Sequence, residues 1–130
     1  MGMDYQYAGS ASYPRFDAEL KNVAKIFGGI PTKEFEEYAE EAPTIVPLNV
    51  KYWFGSSDMT GNRFLFPEGT DEKLIEWFND PYTELTAEDT KRVGQFILAH
   101  PEIQNDDIHA SQIYYEFKML IQCNEGWSIN

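Results

Sequence analysis

The residues with the most reactive side chains in this sequence are two histidines, one cysteine and many carboxylates. His100 and His109 lie nine positions apart, and no HExxH, CxxC or EF-hand spacing accompanies them. Asp106 and Asp107 lie close to His109, but acids at such a position are more typical of the first turn of a helix than of a metal site. The sequence therefore implies no metal ion and no cofactor.

The candidate nucleophiles lack the surroundings that would activate them. Cys123 is predicted near the C-terminal end of the last helix, where the helix dipole disfavours a thiolate, so we expect a small core residue. No GxSxG motif is present, and Ser10 and Ser12 lack the Gly-Lys-Ser/Thr ending of a phosphate-binding loop. We therefore expect that the protein is not an enzyme.

The carboxylates are too numerous for any one pair to indicate catalysis, but together they set the charge. The 130-residue chain has 22 acids against 10 Lys and Arg, a net charge of −12. Residues 68–107 alone carry 11 acids and 3 bases, a net charge of −8. Such a surface repels nucleic acid phosphates and anionic membranes. It favours a basic protein surface as the partner, or it serves solubility alone.

Two acidic stretches also contain aromatic residues, which are favoured anchors in protein interfaces. These are residues 34–38 and 76–84. The simpler interpretation is that the aromatic side chains belong to the core and the acids to the solvated face. The candidate partner-binding residues are Glu34, Glu36, Glu37, Glu40, Glu41, Trp53, Asp58, Asp71, Glu72, Glu76, Asp80, Glu84, Glu88 and Asp89.

The elements that must position these residues begin with a predicted strand at residues 4–8 and a loop at 9–12. An apolar stripe then predicts a first helix from Pro14, stopped by Gly28 and Gly29. A short acidic helix is predicted over residues 33–41, with Thr32 as its N-cap. The members of the first stripe are Phe16, Leu20, Val23, Ala24 and Phe27.

The middle of the chain predicts a hairpin. Residues 45–54 alternate between apolar and other side chains, as a half-buried strand does, although Pro47 restricts that strand to an edge or makes it the strand start. Residues 56–62 form the predicted loop, a second candidate for function, and residues 63–66 form the returning strand.

Three more helices are predicted in the second half. Thr70 is the expected N-cap of a helix over residues 71–79. Thr86 opens the next helix with a sequence that resembles a capping box, and Pro101 follows its end. Asn105 is the expected N-cap of the last helix, which ends at residues 124–126.

These elements predict an α+β fold of about five helices packed on a small antiparallel sheet or hairpin. The length suits a single compact domain over residues 1–130. A single cysteine, no signal peptide and no apolar run that could span a bilayer lead us to expect a cytoplasmic protein.

Charge, size and the lack of a catalytic motif together predict an acidic protein-binding inhibitor. The first hypothesis is a nucleic-acid mimic that blocks a host nuclease, of the anti-CRISPR or anti-restriction type found in phages and mobile elements. The alternative is an immunity protein or adaptor that binds through an aromatic hot spot at Trp53, Trp77 or Trp127, with the acids as a steering rim. An enzyme that uses His100, His109 or Cys123 with a carboxylate is a third possibility.

Overall fold

The computed structural model describes residues 2–31, 52–54, 64–105 and 111–130, and it describes side chains within 2–30, 64–103 and 111–130. In this part the chain forms helices and short antiparallel strands, so the predicted α+β class is confirmed. Four α-helices lie in the described residues, and the predicted helix at 33–41 and loop at 56–62 lie outside them. The elements are β1 (Gly2–Asp4), β2 (Ser10–Ser12), α1 (Tyr13–Ile26), β3 (Ile30–Pro31), β4 (Tyr52–Phe54), β5 (Phe64–Pro67), α2 (Glu72–Asn79), α3 (Ala87–Leu98), a 3-10 helix (Pro101–Asn105) and α4 (Gln112–Cys123).

The chain divides into two compact units. Unit 1 comprises Met1–Tyr13 and Tyr82–Asn130, and unit 2 comprises Pro14–Pro81. The expectation of a single domain over residues 1–130 stays a prediction.

Unit 2 is built on an aromatic core beneath α1 and α2. The stripe of α1 is buried as expected, and the helix ends where Gly28 adopts a φ of +78° and the Gly29 N–H donates to Ala24 O at 2.8 Å. β5 pairs antiparallel with both β3 and β4, so the predicted pairing of the two hairpin strands is confirmed for residues 52–54; residues 45–51 of the predicted strand lie outside the described residues. Phe78 on α2 lies at the centre of this core, with ring centroids 4.8 to 5.9 Å from those of Trp77, Phe66, Phe64 and Phe27.

Unit 1 packs the N-terminal hairpin, α3, α4 and the C-terminal segment around Trp127. The Trp127 ring stacks on Phe117 of α4 at 4.8 Å and meets Tyr5 edge-on at 6.1 Å. Its backbone N–H donates to the buried Thr90 hydroxyl of α3 at 2.8 Å. The strand β1 pairs with β2. The backbone of Asp4, at the end of β1, exchanges two hydrogen bonds with the backbone of Asn130.

The expected strand at residues 4–8 and loop at 9–12 are both wrong. The strands are β1 and β2, and residues 5–9 form the turn between them. The turn closes through a 2.8 Å hydrogen bond from Tyr5 N–H to Gly9 O, with Gly9 at a φ of +85°, a conformation that suits glycine. Three backbone N–H groups of this turn donate to a side chain of α4 rather than to a strand.

Two predicted N-caps are also wrong, each displaced by a better-placed neighbour. Asp71, not Thr70, caps α2, because its carboxylate accepts from both Lys73 N and Leu74 N while the Thr70 hydroxyl donates to Pro67 O. A carboxylate at this position also favours the helix dipole.

The last helix begins later than predicted. Asn105 ends the 3-10 helix, and Ser111 caps α4 by accepting from Tyr114 N at 3.1 Å. Ser111 lies two residues before Ile113, where the apolar stripe begins, so a helix capped at Ser111 includes the whole stripe. By contrast, Thr86 is the N-cap of α3 as predicted, with its hydroxyl accepting from Asp89 N.

Gly94 allows the close packing of α3 on α4, and this generates a test. A Cβ at residue 94 would lie 2.5 Å from Ile121 Cδ1 and 3.1 Å from Phe117 Cδ1. Alanine favours a helix by about 1 kcal/mol over glycine, but overpacking costs about 1–3 kcal/mol. We therefore expect Gly94→Ala to lower the free energy of unfolding by about 1 kcal/mol in urea denaturation.

Ile121→Val removes the clashing Cδ1 atom and serves as the matched partner for this test. The double variant should be more stable than the sum of the two single changes implies, because valine gives the new methyl group its space. Strictly additive losses would contradict the proposed contact.

Candidate partner-binding surfaces

Three predicted site residues lie on α2 or at its end, and we call them the α2 acidic face: Glu72 and Glu76 on the helix, and Asp80 as its C-cap. All three are exposed, and their spacing of four residues places them on one side of the helix. The Asp80 N–H donates to Glu76 O at 2.9 Å, so the helical spacing extends to the end of the face. Lys73 Nζ lies 3.0 Å from Glu76 Oε2, an exposed ion pair that contributes little energy but offsets one of the three negative charges of the face.

Asp71 serves the helix itself. The two backbone N–H groups on its carboxylate fix that side chain as a cap and orient it along the start of α2. Because the helix is capped at Asp71 and its opposite side is buried through Leu74, Ile75, Trp77 and Phe78, the α2 acidic face is displayed on a rigid support.

The predicted acids of unit 1 lie at the start of α3. Glu84 is exposed in the segment before the helix, and its Oε1 accepts from Ser128 Oγ at 3.3 Å. Glu88 and Asp89 lie in the first turn of α3, where a negative charge stabilises the helix dipole. Glu88 is exposed, whereas Asp89 is half-buried.

The remaining predicted site residues are not placed on these surfaces. Glu34, Glu36, Glu37, Glu40, Glu41 and Asp58 lie outside the described residues. Trp53 lies in β4, where it is the register partner of Phe66, and its side chain is outside the described part.

The proposed aromatic anchors Trp77 and Trp127 are core residues, and that part of the prediction is wrong. Their exposed fractions are 1% and 0%. Trp77 contacts Phe78, and Trp127 contacts Phe117 and Tyr5. Burying large aromatic rings in the core stabilises the fold by removing apolar surface from water, so these two side chains are not exposed for a partner.

Sequence reasoning missed a pair of exposed tyrosines in unit 1. Tyr13 and Tyr82 keep 41% and 39% of their surface exposed, and their ring centroids lie 6.4 Å apart at an interplanar angle of 67°. Each is adjacent to a proline, Pro14 or Pro81. Tyr13 lies in register with the apolar stripe of α1, three residues before Phe16, so helical periodicity gave no signal that it is exposed.

Sequence reasoning also missed a buried carboxylate. Glu116 on α4 is fully buried and accepts the backbone N–H groups of Gln6, Tyr7 and Ala8 at 2.8, 2.8 and 3.0 Å. Its signal was present, because position 116 falls on the buried stripe with Ile113 and Phe117.

A second polar side chain of α4 holds the same segment. The Gln112 side-chain amide, one helical turn before Glu116, donates to Ala8 O and Ser10 O at 3.0 Å each. Together the two side chains satisfy donors and acceptors of a turn that forms no strand. This arrangement positions the N-terminal hairpin on α4.

Cys123 is exposed, so its expected place in the core is wrong. The helix ends at Cys123, and Asn124 adopts a φ of +55°, which turns the chain away before the apolar stripe continues. Hydrogen bonding to Cys123, and secondarily to Glu125, raises the pKa of the nearby Tyr7 phenol above its ordinary value. Glu125 also accepts from the Gln6 side-chain amide.

A second perturbed group lies at the end of α3. The pKa of Glu102 is lowered, first by a hydrogen bond from its own backbone N–H and then by the side chain of His100, whose Nδ1 lies 2.7 Å away. His100 lies just before the 3-10 helix and Glu102 lies within it. Both side chains are near the surface, so this pair links the start of that helix to the preceding residue and does not line a cavity.

No group of three His, Cys, Asp or Glu side chains within the described residues is placed to hold a metal ion. None of the described helices is long and apolar enough to cross a membrane. Comparison with known protein families, with curated proteins and with solved structures gave no match.

The Glu116 contacts predict a large effect on stability. Glu116→Gln replaces one acceptor oxygen with a donor that faces backbone N–H groups, so we expect the free energy of unfolding to fall by about 2 kcal/mol. Glu116→Ala leaves all three donors without this acceptor and should cost more. Urea denaturation measures both changes.

Glu68→Gln is the matched control, because Glu68 is exposed in a turn and loses the same charge. It should leave the urea midpoint unchanged. If Glu116→Gln behaved like Glu68→Gln, the buried carboxylate would not hold the turn.

Tyr7 predicts a pH dependence in the alkaline range. Because its pKa in the folded state is raised above the ordinary value of 10.0, the folded state keeps a proton that the unfolded state releases. The stabilisation is complete below pH 10.0 and is lost as the pH rises above it. Stability should therefore fall more steeply between about pH 10 and about pH 11 in the wild type than in Tyr7→Phe. Equal slopes in urea denaturation would contradict the assignment.

Proposed function

We propose that this protein is an acidic inhibitor that binds a basic, nucleic-acid-binding surface of another protein, with a nuclease as the model target. The observation that carries the proposal is the α2 acidic face. Its carboxylates are exposed, regularly spaced and fixed to a helix that is capped at one end and packed on an aromatic core. A preordered display loses little conformational entropy when it binds.

The charge of the whole chain supports the same target. Duplex DNA carries one negative charge per about 1.7 Å of its axis, and proteins meet it with grooves of Lys and Arg. The α2 acidic face offers one carboxylate per about 6 Å of helix axis, since four residues rise about 1.5 Å each. Individual surface pairs are weak, so the net charge of −12 is needed to steer the chain toward a basic groove.

An immunity protein or adaptor that binds through an aromatic hot spot is the second candidate. The observation that favours it is the exposed Tyr13–Tyr82 pair, since tyrosine is enriched among residues that dominate binding energy. In that case the acids form a rim that speeds association, and neutralising them slows binding without abolishing it.

The proposed function is tested with two variants of equal charge. The first is Glu72→Gln/Glu76→Gln/Asp80→Asn, which neutralises the α2 acidic face. The control is Asp4→Asn/Glu68→Gln/Glu102→Gln, which removes three exposed acids elsewhere in the chain. Each variant is titrated into cleavage assays with purified restriction endonucleases and an RNA-guided nuclease on duplex DNA.

We expect the wild type to inhibit a nuclease and the α2 variant to need at least about tenfold more protein, a difference of about 1.4 kcal/mol. The control should need less than about twofold more. Equal effects of the two variants would show that total charge alone matters, and no inhibition of any nuclease would contradict the proposal.

A further inference from the structure

The Tyr13–Tyr82 pair exposes aromatic surface that the core does not need. Both residues belong to unit 1, and each keeps about two fifths of its surface exposed although the two rings are in contact. Their ring centroids lie 6.4 Å apart in an edge-on geometry, and the exposed part of each residue is surface that a third planar group can contact. This arrangement suits an aromatic anchor site.

The charge next to the pair selects the kind of group that can bind there. Tyr82 is followed by exposed Thr83 and exposed Glu84, and the α-carbons of Tyr82 and Glu84 are at most about 7 Å apart. Glu88 is exposed in the following helical turn. These two carboxylates outnumber the one exposed base within two residues of the pair, Arg15, so a cation is favoured over an acidic group.

We propose that the Tyr13–Tyr82 pair binds an arginine side chain of the basic partner, with the Glu84 carboxylate accepting from the guanidinium. The inference rests on the proposed function and names the contact that gives specificity to it. Arginine fits better than lysine, because its planar guanidinium stacks on aromatic faces and donates in the same plane to a carboxylate. A lysine ammonium is a strongly hydrated point charge, which can pair with the carboxylates but cannot stack on the tyrosine rings.

The probes are two peptides of equal length, one of arginine only and one of lysine only. Their affinities for the full chain are measured by calorimetry at fixed ionic strength. We expect the arginine peptide to bind about twofold to fivefold more tightly, the range of an exposed cation–π contact. In NMR spectra of the wild type, the ring signals of Tyr13 and Tyr82 should shift more with the arginine peptide than with the lysine peptide.

The variant Tyr13→Leu/Tyr82→Leu keeps apolar bulk but removes the aromatic faces. It should bind both peptides with the affinity that the wild type has for the lysine peptide. Tyr115→Leu is the matched control, because Tyr115 lies on α4 with 46% of its surface exposed, and it should keep the arginine preference. The ring-signal test needs no variant and so does not depend on folding of the double variant.

Equal affinity of the wild type for the two peptides would overturn the arginine site, as would a preference that survives in the double variant. Weak or absent binding of both peptides would also overturn it. The proposed function fails separately, when neutralising the α2 acidic face leaves the affinity for both peptides unchanged. Both proposals are supported if the wild type prefers the arginine peptide and neutralising the α2 acidic face weakens the binding of both peptides.

Discussion

The fold of unit 1 depends on one buried carboxylate. Glu116 accepts three backbone N–H groups from residues 6–8, and the Gln112 side-chain amide, one helical turn earlier, donates to Ala8 O and Ser10 O. A buried charge is tolerated only when it is fully hydrogen-bonded, so this contact admits one position of the N-terminal hairpin on α4. With the hairpin in place, Asp4 pairs with Asn130 and the C-terminal segment is held where Trp127 fills the core. Residues at both ends of the sequence thus depend on one side chain in α4.

The helices were predictable because their signals are local. The stripe of α1, its stop at Gly28 and the Thr86 cap of α3 need only the periodicity of a helix and the chemistry of its ends. The N-terminal strands were not predictable, because the partner of the turn lies about 110 positions away in the sequence at Glu116. Two capping signals compete at Thr70 and Asp71. The Thr70 hydroxyl donates to Pro67 O in the preceding turn, and the Asp71 carboxylate caps the helix, which the sequence does not reveal. Cys123 was misplaced because its residue type was taken as a sign of burial, although helical periodicity places it away from the stripe of Ile113 and Phe117.

The candidate surfaces show the same division between local and distant information. The sequence identified the exposed acids of α2 correctly, since charged residues opposite an apolar stripe face water. It could not separate acids that cap the helix, such as Asp71, from those that are exposed along it, such as Glu72 and Glu76. Trp77 and Trp127 were attractive anchors by residue type, but packing uses both in the core. The exposed aromatic surface belongs instead to Tyr13 and Tyr82, which are distant in sequence and meet in unit 1.

The central claim is that the acidic surface occupies the place of nucleic acid on a basic partner, and mutual exclusion tests it most directly. An inhibited nuclease is mixed with this chain and with its duplex DNA, and the masses of the resulting complexes are measured in solution. The account predicts two binary complexes that replace one another as the ratio of chain to DNA changes, with the exchange weakened by salt. A stable ternary complex of nuclease, chain and DNA would contradict it, because both ligands cannot occupy the same basic groove.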